Sequence, residues 1–106
     1  PQYTYYLYSW GSGLAGALGL GNTTYYSSPK QVGALTNWLN ASSGNYYTLA
    51  IKTDGTIWAC GWGIYGSLGD NTVTSYSSPI QIGTETTWKQ VVHGDYWTYG
   101  IKDGYI

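Results

Sequence analysis

The chain has 106 residues, only 8% of them charged, and a formal net charge of −1. Its basic residues are Lys30, Lys52, Lys89 and Lys102, with no arginine, so the clustered positive charge that nucleic acid or an anionic membrane surface requires is missing. Aromatics at 18%, with 6 Trp and 13 Tyr, provide ample surface to bury, and 16 glycines signal tight turns.

In chain order, Tyr5–Trp10 reads as a short aromatic strand. Gly11–Gly21 is punctuated by glycine too often for a regular helix. Ser27-Ser28-Pro29 reads as the end of a polar loop, and Lys30–Val32 as a short strand broken by Gly33. Trp38–Ser42 is the next strand, closed by Gly44. Tyr46–Lys52 and Ile57–Cys60 flank Thr53-Asp54-Gly55-Thr56, and Asp-Gly between two strand-like runs is a strong hairpin signal.

The order then repeats. Residues 7–56 align without gaps on 57–106, and 19 of the 50 pairs are identical. They include Gly11, Gly13, Gly16, Leu18, Gly19, Pro29, Trp38, Gly44, Ile51 and Lys52, each recurring fifty residues on. About four short strands per fifty residues is the content of one blade of a β-propeller. The expected fold is all-β: two roughly four-stranded units, residues 1–56 with a leading strand and residues 57–106.

Trp10-Gly11-Ser12-Gly13-Leu14-Ala15-Gly16-Ala17-Leu18-Gly19 and Cys60-Gly61-Trp62-Gly63-Ile64-Tyr65-Gly66-Ser67-Leu68-Gly69 are two versions of one motif. With Ser28-Pro29-Lys30-Gln31-Val32, Ser78-Pro79-Ile80-Gln81-Ile82 and the hairpin at Asp54-Gly55, the pattern resembles the regulator-of-chromosome-condensation repeat family over nearly the whole chain from Leu7. The resemblance implies β-propeller blades, in typical members within a ring of seven. Two blades leave sheet faces uncovered, so further blades from the same chain or from other copies are expected. The chain does not begin with Met and carries no visible signal peptide, which predicts a trimmed, processed or internal piece. The sequence departs from the family where Gly13 and Gly63 replace Asn, where Ala17 and Ser67 replace Gln, and where Tyr47 and Trp97 replace a His. Polar links within and between blades are therefore expected to be lost.

No catalytic constellation is legible. Gly11–Gly16 and Gly61–Gly66 fit a dinucleotide-binding spacing, but turn residues follow where that motif needs a helix. His93 is the only histidine, with Ser43 as its counterpart, and a strand-end hydrogen bond is its expected role. The acids Asp54, Asp70, Asp95, Asp103 and Glu85 fall in separate turns and loops, with no pair marked out for glycoside hydrolysis. Cys60 is alone in an apolar run and reads as a buried structural thiol. No run of about 18 apolar residues predicts a membrane-spanning helix. No cofactor and no metal are expected.

The functional candidates are the aromatics outside the repeated structural positions: Trp62 and Tyr65 in the second glycine loop, with Tyr25, Tyr26 and Tyr76 beside the Ser-Ser-Pro segments. Such rings anchor protein partners or stack on sugars. The leading expectation is a non-enzymatic structural or protein-interaction propeller segment. The Tyr-, Thr-, Ser- and Gly-rich, weakly charged composition favours an extracellular, appendage or phage virion setting. A carbohydrate-binding module is the alternative. Guanine-nucleotide exchange with chromatin binding follows from the resemblance alone, and the lack of arginine opposes it.

Overall fold

The computed structural model describes residues 4–34 and 37–104. Among the described residues eight strands follow one another: β1 Tyr8–Gly11, β2 Tyr26–Gln31, β3 Trp38–Gly44, β4 Tyr47–Lys52, β5 Ile57–Gly61, β6 Tyr76–Gln81, β7 Trp88–His93 and β8 Thr98–Lys102. The glycine-rich stretch contains a single 3-10 turn, Leu14–Gly16. Four antiparallel strands per repeat agree with the propeller-blade reading.

The hydrogen-bonded unit is offset from the sequence repeat. The complete sheet runs β3-β4-β5-β6, with β1-β2 and β7-β8 as two-stranded sheets on either side. Two strands of the complete sheet come from residues 1–56 and two from 57–106, so these sequence units are not the hydrogen-bonded units. The link is the Asp54-Gly55 hairpin, which pairs Ile51 with Ile57 and Tyr47 with Gly61. At its tip, Asp54 accepts hydrogen bonds from the Thr56 N–H (3.0 Å) and hydroxyl (2.6 Å). These bonds hold the Asp54 carboxyl below its usual pKa. A depressed carboxylate adds stability above its unfolded pKa of about 4 and loses it as pH falls through the lower folded value. Asp54→Asn should flatten that acid limb of the stability profile, measured by denaturant melts at stepped pH.

Alternation along the strands gives the central sheet two faces. Tyr47, Leu49 and Ile51 of β4 with Ile57 and Ala59 of β5 form the core with Leu68 and Val91, flanked by Tyr76, Ile82 and Trp88. Thr48, Ala50, Trp58 and Cys60 face the opposite way, lining a cleft with Leu7, Ser9, Leu18 and Val32 of the first unit. Each face is thus covered by a neighbouring unit, as stacked blades require.

The repeat also extends to single hydrogen bonds. The Thr48 hydroxyl donates to the Ala17 carbonyl, and the Thr98 hydroxyl to that of Ser67, both at 2.9 Å. The expected loss of polar links is only partly realised. Tyr47, in place of a histidine, is 1% exposed and donates its hydroxyl towards the carbonyls of Trp97 (2.7 Å) and Gly94 (3.0 Å). A longer phenol reaches the next unit and restores a bond across it.

Ser27-Ser28-Pro29 does not close a loop, because it lies within β2, as Ser77-Ser78-Pro79 lies within β6. Proline is tolerated there because β6 is the outermost strand of its sheet and its pairing with β5 is interrupted between Ala59 and Gly61. Pro79 thus leaves no ladder bond unmade.

Candidate aromatic interaction surface

Three turns meet at one end of the sheets. The β3–β4 turn presents Tyr46 at a positive φ of 66°, the loop after β5 presents Trp62 and Tyr65, and the β7–β8 turn presents Tyr96. Their rings form a continuous row, with centroids 5.5 Å apart for Tyr46–Trp62, 5.7 Å for Trp62–Tyr65 and 4.7 Å for Tyr65–Tyr96. The tilted and edge-on geometries are those aromatic pairs prefer. The Trp62 N–H donates to the Tyr46 carbonyl at 2.8 Å, which fixes the loop to the turn.

The row remains open to solvent. Tyr65 is 60% exposed and Tyr46 and Tyr96 are over 40% exposed, while Trp62 is half-buried. Trp62 and Tyr65 are therefore brought together as the sequence suggested. Tyr25, Tyr26 and Tyr76 are not part of the row, since no ring contact joins them to it among the described residues. Tyr25 is exposed. Tyr26 accepts a hydrogen bond from the Asn22 amide at 3.3 Å, with the Lys30 ammonium 5.4 Å from its ring. Tyr76 packs on the core.

Tyr46 and Tyr96, repeat equivalents fifty residues apart, are not among the candidates the sequence offers, because nothing local links them to the second glycine loop. Trp62 and Tyr65, which replace Ser12 and Ala15, fill the space between these two tyrosines. A signal was available in the combination of repeat-conserving tyrosines with repeat-breaking aromatics.

The chemistry elsewhere is sparse. His93 sits at the end of β7 with Nδ1 3.3 Å from the Gly94 carbonyl and its ring edge-on to Tyr47. Among the described residues, no three His, Cys, Asp or Glu side chains come together to hold a metal. Cys60 is 3% exposed, and burial pushes its thiol up to about 12. At pH 8 it should react with a thiol reagent such as Ellman's only at the rate of unfolding. Reaction in seconds in native buffer would contradict its placement.

The sequence profile of the regulator of chromosome condensation (RCC1) repeat matches residues 6–51 and 54–101. The chain belongs to the RCC1 repeat family. Its two repeats give the offset sheet a family setting, that of a β-propeller segment. It is similar to the X-linked retinitis pigmentosa GTPase regulator homolog of Caenorhabditis elegans, 44% identical over 57 residues, covering 50% of this chain and 4% of that protein. Among solved structures, human WBSCR16 superposes with a TM-score of 0.75 at 24% identity, over 87% of this chain and 25% of that one. Prp20p of Saccharomyces cerevisiae gives 0.75 at 20% identity, over 95% and 27%. A second yeast RCC1 (Prp20) structure, bound to Kap60, gives 0.67 at 23%, over 88% and 26%. The chain thus spans about a quarter of the structures it resembles, and at these identities they establish the fold.

Proposed function

We propose that this chain is a non-enzymatic protein-interaction segment of a propeller, with the row Tyr46–Trp62–Tyr65–Tyr96 as its contact surface. The continuous, solvent-open row carries the reading. Tyr and Trp offer large apolar area with few rotatable bonds, and such residues dominate binding energy at protein interfaces. The related Prp20p has been studied for its binding to Gsp1p and histones, and in complex with Kap60, so propellers of this family do engage proteins. With a net charge of −1 and no arginine, an anionic partner such as chromatin is disfavoured here. The composition supports an extracellular or virion assembly as the setting, with other proteins of that assembly, or further blades, as partners.

The test is binding of the purified chain to separately purified proteins of its own assembly, measured by interferometry. Truncating Trp62 and Tyr65 to alanine should cost about 2 kcal/mol or more, roughly thirtyfold in Kd, while circular dichroism stays unchanged. Undiminished binding by the double variant would refute the assignment. Glycan-array binding that disappears in Trp62→Ala would replace the protein partner by a sugar.

A further inference from the structure

In the complete sheet, the inner strands β4 and β5 each have two hydrogen-bonded neighbours. Their repeat equivalents do not. β8, fifty residues after β4, pairs only with β7 among the described residues, and β1, fifty residues before β5, pairs only with β2. The β7-β8 sheet is thus the first half of a four-stranded sheet, and the β1-β2 sheet is the second half.

The core divides in the same way. Leu49 and Ile51 of β4 are 3% and 0% exposed, packed with Ile57, Ala59, Leu68 and Ile82. Their equivalents on β8, Tyr99 and Ile101, are 65% and 57% exposed. The equivalents of the four packing partners are Leu7, Ser9, Leu18 and Val32, at the other end of the chain. There they line an open cleft of about 290 Å³. One end of the molecule carries the side chains and the other carries their seat.

Two glycines show the same asymmetry. A Cβ on Gly61 would sit 2.4 Å from the Tyr46 carbonyl oxygen and 2.6 Å from the Tyr47 Cα, because the neighbouring strand passes beside it. Gly11 keeps almost the same φ, +105° against +104°, yet a Cβ there meets nothing within 4 Å. A Cβ on Gly16 would sit 2.4 Å from the Ser77 Cα of β6, and one on its equivalent Gly66 again meets nothing. Each open glycine faces the place that a further strand takes at its counterpart.

We propose that copies of this chain join head to tail, with β1 of one copy adding antiparallel to the open edge of β8 of another to complete a sheet β7-β8-β1-β2. The register is that of β4 on β5, carried by the repeat. Leu49 opposite Ala59 becomes Tyr99 opposite Ser9 of the second copy, and Ile51 opposite Ile57 becomes Ile101 opposite Leu7. Strand addition satisfies the backbone groups that an edge leaves open. A second copy is the occupant because it brings both the strand and the apolar seat for Tyr99 and Ile101 in a single register. The joint is heterologous, so it propagates until the rotation closes. Each copy brings strands for two blades, and propellers of about 4–8 blades correspond to about two to four copies. The joint does not require the aromatic row.

Sedimentation equilibrium of the 106-residue chain should give the mass of about two to four copies. Tyr99→Lys combined with Ile101→Lys changes two side chains that are exposed in the single copy. It should return the mass to that of one chain, with the β-sheet circular dichroism retained. The register is read by mixing Ser9→Cys chains with Tyr99→Cys chains under mild oxidation. Opposed residues on antiparallel strands have Cα atoms about 4.5–5.5 Å apart, within reach of a disulfide. The mixture should therefore yield a disulfide-linked pair of chains that neither variant yields alone, since Cys60 is buried. A single-chain mass at the highest soluble concentration, folded or not, overturns the proposal. So does an assembly that the lysine variant leaves intact, or a mixture in which the two cysteine variants do not link.

Discussion

Tyr47→Ala is expected to remove about 3–5 kcal/mol of stability, the range for emptying a large buried aromatic site. The side chain is enclosed within the core, and its hydroxyl bridges to the Trp97 and Gly94 carbonyls of the next unit. Truncation therefore removes packing and the bond that ties the β7–β8 turn to the central sheet. Domains of this size have only about 5–15 kcal/mol in total, so the variant should melt far earlier or fail to fold. Tyr47→Phe separates the two contributions: it keeps the ring and should cost about 1–2 kcal/mol, the value of a buried hydroxyl's hydrogen bond. Denaturant melts of the three proteins check both steps, and equal losses for Ala and Phe would assign the whole effect to the hydroxyl.

Gly55→Ala is the second large effect, expected at about 2–4 kcal/mol from left-handed strain, steric displacement and a lost backbone bond together. Gly55 has φ +83°, and a Cβ there would sit 1.8 Å from the Thr86 carbonyl oxygen. The Gly55 carbonyl also accepts the Trp88 N–H at 3.2 Å, so moving the hairpin aside detaches it from the start of β7. Gly33→Ala is the internal control. Its φ of +65° imposes a similar backbone cost, but a Cβ there meets nothing within 4 Å. It should lose only about 1 kcal/mol, and the difference between the two variants measures the close approach of hairpin and loop.

These two positions show what the sequence made legible. The Asp54-Gly55 turn, the eight strands and the repeat family all follow from residue type and spacing, because glycine and alternation carry local information. The hairpin also carries the pairing of Tyr47–Lys52 with Ile57–Gly61 across residue 56; what does not follow is where one sheet ends and the next begins, since a fifty-residue period has no marked starting point. Pro29 and Pro79 misled for a related reason: proline reports a missing N–H, which an outermost, irregularly paired strand accommodates as readily as a loop. At the candidate surface, Trp62 and Tyr65 were visible because they break the repeat. Tyr46 and Tyr96 lie in other turns, and only the meeting of three turns shows that all four rings form one row.

The offset sheet is the claim on which the rest depends, and cross-strand backbone NOEs test it most directly. Leu49–Ala59 and Tyr47–Gly61 contacts across the repeat boundary, together with Trp58–Gln81, are predicted in the same spectrum. Contacts confined within residues 1–56 and within 57–106, with none between Tyr47–Lys52 and Ile57–Gly61, would contradict it.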